Sequence, residues 1–291
     1  MTMRSIHFIT FMLTTGLAVF SQEKDTTYWK TNFKTGVTFN QASFSKNWKS
    51  GGNNSVSVGG MFIGKADYTK DKADWLSQAD LQYGRVKNEG QGVRKSSDKL
   101  SLETKYGYKL KNHWNLYSSL NFLSQFDNGY TYFENDSSVK ISGFFAPAYI
   151  TSSWGVEYKP SDKFYLRISP FSPRVTIVND TTLYKQVSEN YGVKPGETTR
   201  YEWKAFKINS NYETNLVENI SLKADYELFA SFDNLSLKSI DHRLDILITA
   251  KIYKFLNLTI TNNYLYDIDQ DKDIQTSLLI GLSILFDYKN N

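Results

Sequence analysis

The sequence predicts an all-β chain, an antiparallel up-and-down transmembrane β-barrel of about twelve strands, with ten to fourteen allowed by the segment boundaries. Three observations lead there. Asp273 to Tyr288 alternates in character over a full strand length: Leu278, Ile280, Leu282, Ile284, Phe286 and Tyr288 share one parity, and Ser277, Gly281, Ser283 and Asp287 lie on the other. The 291 residues include 20 Tyr and 19 Phe but only 5 Pro and no Cys, a composition of strands rather than helices. Short and long connections then alternate along the chain, as an up-and-down barrel requires and a Greek-key sandwich does not.

In chain order, residues 1–21 read as a secretory signal. Arg4 precedes the mostly apolar run Ile6 to Phe20, and Val19 and Ser21 occupy the −3 and −1 positions before Gln22. Cleavage after Ser21 is expected, leaving 22–291 as a single barrel domain. The apolar run contains His7 and several Thr and is short for a retained anchor. No later run approaches the roughly twenty apolar residues of a membrane helix.

Strand-like runs follow at 33–43, 55–68, 73–86, 98–110, 113–126, 146–158, 162–180, 200–213, 219–232, 240–253, 255–267 and 274–288. The connections 69–72, 111–112, 159–161, 214–218 and 254 are short, while 44–54, 87–97, 127–145, 181–199, 233–239 and 268–273 are longer. Both termini then lie on the short-turn side. Run 162–180 carries Pro170 and Pro173, which remove ladder donors and should bend it or divide it in two.

Faces agree from run to run. Leu222, Ala224, Tyr226 and Leu228 oppose Lys223, Asp225 and Glu227; Leu244, Ile246 and Ile248 oppose Asp245, Thr249 and Lys251; Leu102, Tyr106 and Tyr108 oppose Glu103, Lys105 and Lys109. In a soluble sandwich this charged face would meet water outside, whereas in a membrane barrel it lines the lumen. Parity alone leaves both open. Trp75, Trp114, Tyr158, Phe164, Tyr253 and Phe255 favour the barrel, because all sit beside short turns, where an interfacial aromatic girdle belongs. The candidate lumen residues are Glu103, Lys105, Lys109, Lys223, Asp225, Glu227, Asp245 and Lys251.

The final strand also resembles the C-terminal recognition signal of bacterial outer-membrane barrels, in Gly281, Ile284 and Phe286. These are candidate assembly residues. At Trp48-Lys-Ser-Gly-Gly-Asn-Asn54, Tyr106-Gly-Tyr108 and Phe144-Phe-Ala-Pro-Ala-Tyr149 the chain resembles a Bacteroidetes-type outer-membrane β-barrel family of unknown function, over roughly residues 29–288. That resemblance implies an outer-membrane barrel of unassigned activity and carries over no catalytic residues. It places the protein in the outer membrane after export, with lipid and the barrel assembly machinery as partners and room for an unidentified protein partner.

Other functions find little support. The net charge of +4 is spread among interspersed Lys, Arg, Asp and Glu, so nucleic acid is not indicated. His7 leaves with the signal, His113 lies at a tight turn, and His242 points to the opposite strand face from Asp241, which disfavours a catalytic dyad. No metal-ligand spacing is found, and no enzyme activity or cofactor is expected. Residues 181–199, with Gly192, Pro195 and Gly196, read as a polar, flexible loop able to fold inward or bind something. The leading expectation is a small porin-like channel or transporter for small solutes. The second is a structural or accessory barrel with a closed lumen that works through its loops and a partner. Whether the inward charges pair off separates the two.

Overall fold

Alternating side chains leave a strand with two unlike faces, and twelve such strands bury one face each by closing on themselves. A computed structural model describes residues 28–45, 53–133, 137–187, 190–234 and 236–290. The signal expectation for 1–21, and Trp48 to Gly52 of the first motif, lie outside them. The strands are β1 (Trp29–Ala42), β2 (Ser55–Lys70), β3 (Ala73–Asn88), β4 (Val93–Lys109), β5 (Trp114–Ser124), β6 (Gly129–Tyr132), β7 (Ser138–Ser142) and β8 (Ala148–Ser161), followed by β9 (Phe164–Phe171), β10 (Arg174–Ile177), β11 (Thr199–Glu202), β12 (Ala205–Val217), β13 (Ile220–Ser231), β14 (Ile240–Tyr253), β15 (Leu256–Asp267) and β16 (Asp271–Asn290).

Pairing is antiparallel throughout and closes on itself. It runs β1 to β5 in order, passes to β8, β9 and β12, continues through β13 to β16 and returns to β1. The seam between β16 and β1 extends from Thr31–Asn290 to Phe39–Leu282. The ring has twelve members. The run with two prolines divides at Ser172-Pro173 into β9 and β10, but both halves pair with β8, so the division adds no strand. The next strand divides likewise at Trp203-Lys204, leaving β11 against β10 and β12 against β9. β6 and β7 form a separate hairpin inside the long connection between β5 and β8.

Two of the long connections are shorter than the sequence indicated. The stretch 87–97 contracts to 89–92, and 268–273 to 268–270, because β3, β4 and β16 run 16, 17 and 20 residues. About 9–11 residues cross a bilayer, so these strands project beyond any apolar band. There the sequence is charged (Lys87, Arg94, Lys95) and alternation fades, while the backbone ladder continues.

The faces are inverted relative to a soluble protein. Among the described residues, Glu157 is 1% exposed and Arg167 2%, whereas Leu282 and Ile284 are 50% and 54% exposed. A water-soluble sandwich would bury those leucines and isoleucines in its core; here the buried interior is mostly polar. The short-turn end carries outward aromatic pairs, Trp114 with Tyr158 at 5.1 Å, Phe255 with Phe286 at 4.8 Å and Trp75 with Tyr106 at 6.2 Å between ring centroids.

Candidate functional site

The inward face of the ring is held together by salt bridges in three groups. Nearest the short turns, Arg167 bonds Glu103 and Glu157, each at 2.7 Å, while Lys105 reaches Glu157 at 2.9 Å and Asp74 at 3.0 Å. Further along, Lys99 reaches Asp80 at 2.8 Å and Asp245 at 3.0 Å, with Arg243 also on Asp245 and Lys223 on Asp225. Outermost, Arg174 holds Asp241 at 2.9 Å and Glu227 at 3.5 Å, and Lys207 bonds Glu227 at 2.7 Å. Gly107 explains part of the Tyr106-Gly-Tyr108 motif. A Cβ there would overlap the Asp74 carboxylate, so glycine leaves room for the Asp74–Lys105 pair while both tyrosines face outward.

Two of these bridges cross the whole bore. Lys99 is on β4 and Asp245 on β14, six places apart in a ring of twelve, and Lys65 on β2 meets Glu213 on β12, also six apart, at 3.5 Å. Side chains just fill an eight-stranded barrel, so a round twelve-stranded one is too wide for such contacts. The cross-section is therefore flattened along the line joining β2–β4 to β12–β14. Flattening divides the interior into two lobes. The lobe at β5, β8 and β9 is packed with Tyr117, Glu157, Arg167 and Ser169, all buried. The lobe at β1, β15 and β16 presents small uncharged groups, including Thr38, Asn40, Thr259, Thr261 and Gly281, to a cavity of about 100 Å³ whose opposite wall carries Asp80, Lys99, Lys223, Asp225 and Asp245.

A larger chamber of about 390 Å³ occupies the outer half. Its walls include Tyr149, Arg174, Phe229 and Asp241, and Ile141, Ser142, Tyr191 and Gln270 also border it. The loop 178–198 is polar in composition, yet Val178, Leu183, Val187, Tyr191 and Val193 bury themselves against Ala146, with Ile141 packed on the cluster. The Tyr191 hydroxyl donates to the Ile141 carbonyl at 2.6 Å, and Lys140 bonds Asp180 at 2.9 Å. The loop and the β6–β7 hairpin thus form one lid.

Asp180 fixes one corner of that lid. The Thr182 hydroxyl, the Lys140 ammonium and the Thr182 amide hold its carboxyl down to about 2. A depressed carboxyl contributes fully above its unfolded value near 4, and the contribution is lost as pH falls through about 2. The Asp180 side-chain carboxyl carbon should titrate by NMR with a midpoint near 2, and Asp180→Asn should raise tryptic cleavage at Lys140 and Lys185 at neutral pH. A midpoint near 4 would contradict this account.

Of the residues expected in the lumen, Glu103, Lys105, Lys223, Asp225, Glu227 and Asp245 join the salt-bridge groups. Lys109 and Lys251 share that strand parity but lie toward the short-turn rim, where Lys251 is exposed beside a shallow cavity with Lys34 and Asp287. Gly281 faces inward beneath Thr38 and Asn40, while Ile284 and Phe286 face outward. His242 also faces outward, bonded through Nδ1 to the Tyr226 hydroxyl at 2.8 Å. Sequence reasoning did not single out Glu157, Arg167, Arg174 or Lys99. Their signal was available: Glu157 falls between Val156 and Tyr158, and Arg167 between Leu166 and Ile168, the same apolar–charged–apolar pattern read on β13.

Residues 39–130 match the model of a family described as "Protein of unknown function (DUF3078)". The match covers the first two of the three motifs noted above and ends before Phe144. No curated protein matches the sequence. Among solved structures, the chain is similar to the translocator domain of the autotransporter NalP from Neisseria meningitidis, with 9% identity, 96% of this chain and 94% of that one covered, and a TM-score of 0.37. It is also similar to an outer-membrane channel from Pseudomonas putida F1 (10% identity, 90% and 94% covered, TM-score 0.39) and to the NanC porin (8% identity, 87% and 98% covered, TM-score 0.39). The barrel assignment rests on the strand pairing of this chain itself.

Proposed function

We propose that the protein is an outer-membrane channel of narrow bore that admits small polar solutes through its outer chamber. The observation that supports this reading is that two polar cavities lie along the bore, an outer chamber and a smaller space at β1, β15 and β16, with Lys99, which bridges the barrel at mid-height, in the wall of both. A polar, partly open path fits small solutes and excludes large ones. In this reading the signal at 1–21 directs export, the short turns face the periplasm, and the lid faces outward.

Purified full-length protein in planar bilayers tests it. Unit conductance should be well below that of an open sixteen-stranded porin, and Lys99→Ala should raise it by removing the bridge. A second reading, the closed accessory barrel, is favoured by the Lys65–Glu213 and Lys99–Asp245 crossings. Silence of both the wild type and Lys99→Ala would establish that reading instead.

Membrane insertion has its own test. Ile246→Arg and Ile248→Arg place a charge on the lipid side and should each cost about 2–4 kcal/mol, while polar replacement of inward Leu247 should cost far less. Single cysteines at 246 and 248 should resist water-soluble maleimides and be quenched by lipid-borne spin labels, whereas cysteines at 245 and 249 should escape the lipid quencher. Equal quenching on both parities would remove the lipid-facing assignment.

A further inference from the structure

The outer chamber holds more carboxylate than its own cations neutralise. Asp241 on β14 and Asp267 on β15 lie on neighbouring strands, each next to a member of the terminal His242–Tyr266 pair, and both line the chamber. Like charges on neighbouring strands of a sheet repel. Arg174 relieves one of them, reaching Asp241 at 2.9 Å, but that guanidinium is committed: it also bonds Glu227 and lies 3.3 Å from the centre of the Phe229 ring. Asp267 is 5% exposed, and its oxygens accept from the Asp269 amide at 2.9 Å and the Gln270 side chain at 2.8 Å. No lysine or arginine among the described residues makes a salt bridge to Asp267. Two neutral donors leave a buried carboxylate short of the positive charge that ordinarily accompanies one.

What is missing is one cation, and the surroundings select its kind. Two carboxylates fall short of the roughly six to eight oxygens that a calcium ion collects. Tyr149 and Tyr191 border the same space, the Tyr149 ring already carrying the Arg174 guanidinium at 5.4 Å, and phenol groups beside carboxylates suit an organic ammonium, which takes up the charge and a ring or hydroxyl contact. A volume of about 390 Å³ lies in the range of pockets for small organic ligands. We propose that the chamber selects small solutes bearing a primary ammonium group, held between Asp241 and Asp267 beside Tyr149 and Tyr191. The proposal rests on the solute-channel reading and names the solute class.

The test is calorimetric titration of the purified full-length barrel in detergent with glucosamine, against glucose, N-acetylglucosamine and glucuronate. Glucosamine should bind at least about tenfold more tightly than the other three, and Asp267→Asn should weaken it by about tenfold while leaving N-acetylglucosamine unchanged. Should Asp267→Asn not yield a heat-modifiable folded barrel, ethylammonium should displace glucosamine from the wild type while ethanol does not. Equal binding of the four sugars, preference for glucuronate, or no heat from glucosamine at millimolar concentration would overturn the proposal. Conductance without glucosamine binding overturns this inference and leaves the channel standing. Glucosamine binding without conductance does the reverse.

Discussion

A chain lacking residues 284–291 will not form a closed barrel. The seam between β1 and β16 has nine paired positions, and the deletion removes seven of them, from Thr31–Asn290 to Val37–Ile284, leaving only Thr38–Ser283 and Phe39–Leu282. The Leu256–Ile284 pair to β15 goes too. In lipid an unpaired strand edge has no water to satisfy its amides and carbonyls, each at a cost of several kcal/mol, so loss of closure at one end propagates along both edges. Heat-modifiable migration on gels is the measurement: the full-length chain should run faster unboiled than boiled, and the truncated chain should show no shift. Gly281→Val probes the same strand from inside. A side chain there would overlap the Asn40 amide and the Thr38 methyl, and the overpacking should cost about 1–3 kcal/mol without abolishing assembly. Normal folding and insertion of the truncated chain would contradict the closing role of β16.

The architecture was legible because barrel strands state their faces locally. Period-two alternation in β13, β14 and β16 places Ile248 and Leu282 outside and Asp225, Asp245 and Ser283 inside, and no long-range information is needed to see it. The division at Pro173 was legible for the same reason, since a missing donor acts where it stands. What the sequence concealed depends on ring geometry. Lys99 and Asp245 lie 146 positions apart, and nothing local to either indicates that the barrel flattens enough for them to meet. The lid was hidden differently. Leu183, Val187 and Tyr191 fall four apart as on a helix, but Val178 and Val193 do not continue that period, so the full apolar cluster appears only when the connection folds back on Ala146. The site was therefore half visible: β13 and β14 gave up their inward carboxylates, while the cations that answer them from other strands, Lys99, Arg174 and Lys207, can be matched to Asp245, Asp241 and Glu227 only once the ring is closed.

Glu157→Ala should be among the most damaging point substitutions in the lumen. Glu157 is 1% exposed and accepts from Lys105, Arg167 and Asn115, so its removal leaves an ammonium and a guanidinium short of charge inside the packed lobe. Breaking a buried pair on one side costs about 3–5 kcal/mol, chiefly from the charge left behind rather than the attraction lost. Lys105 keeps Asp74 and Arg167 keeps Glu103, which places the expectation at the lower end of that range. Urea unfolding of the barrel in lipid vesicles, followed by tryptophan fluorescence, measures it. The double variant Glu157→Ala with Arg167→Ala should be less damaged than the two single losses sum to, because it removes one of the stranded charges along with the carboxylate. A Glu157→Ala barrel within about 0.5 kcal/mol of the wild type, the range of an ordinary surface substitution, would mean that water reaches Lys105 and Arg167 and replaces the carboxylate. The lobe at β5, β8 and β9 would then be wet, and solute passage would no longer be confined to the opposite lobe. A loss of about 3 kcal/mol or more, with conductance unchanged, assigns that lobe to holding the flattened barrel together and leaves transport to the side lined by Thr38, Thr259 and Gly281.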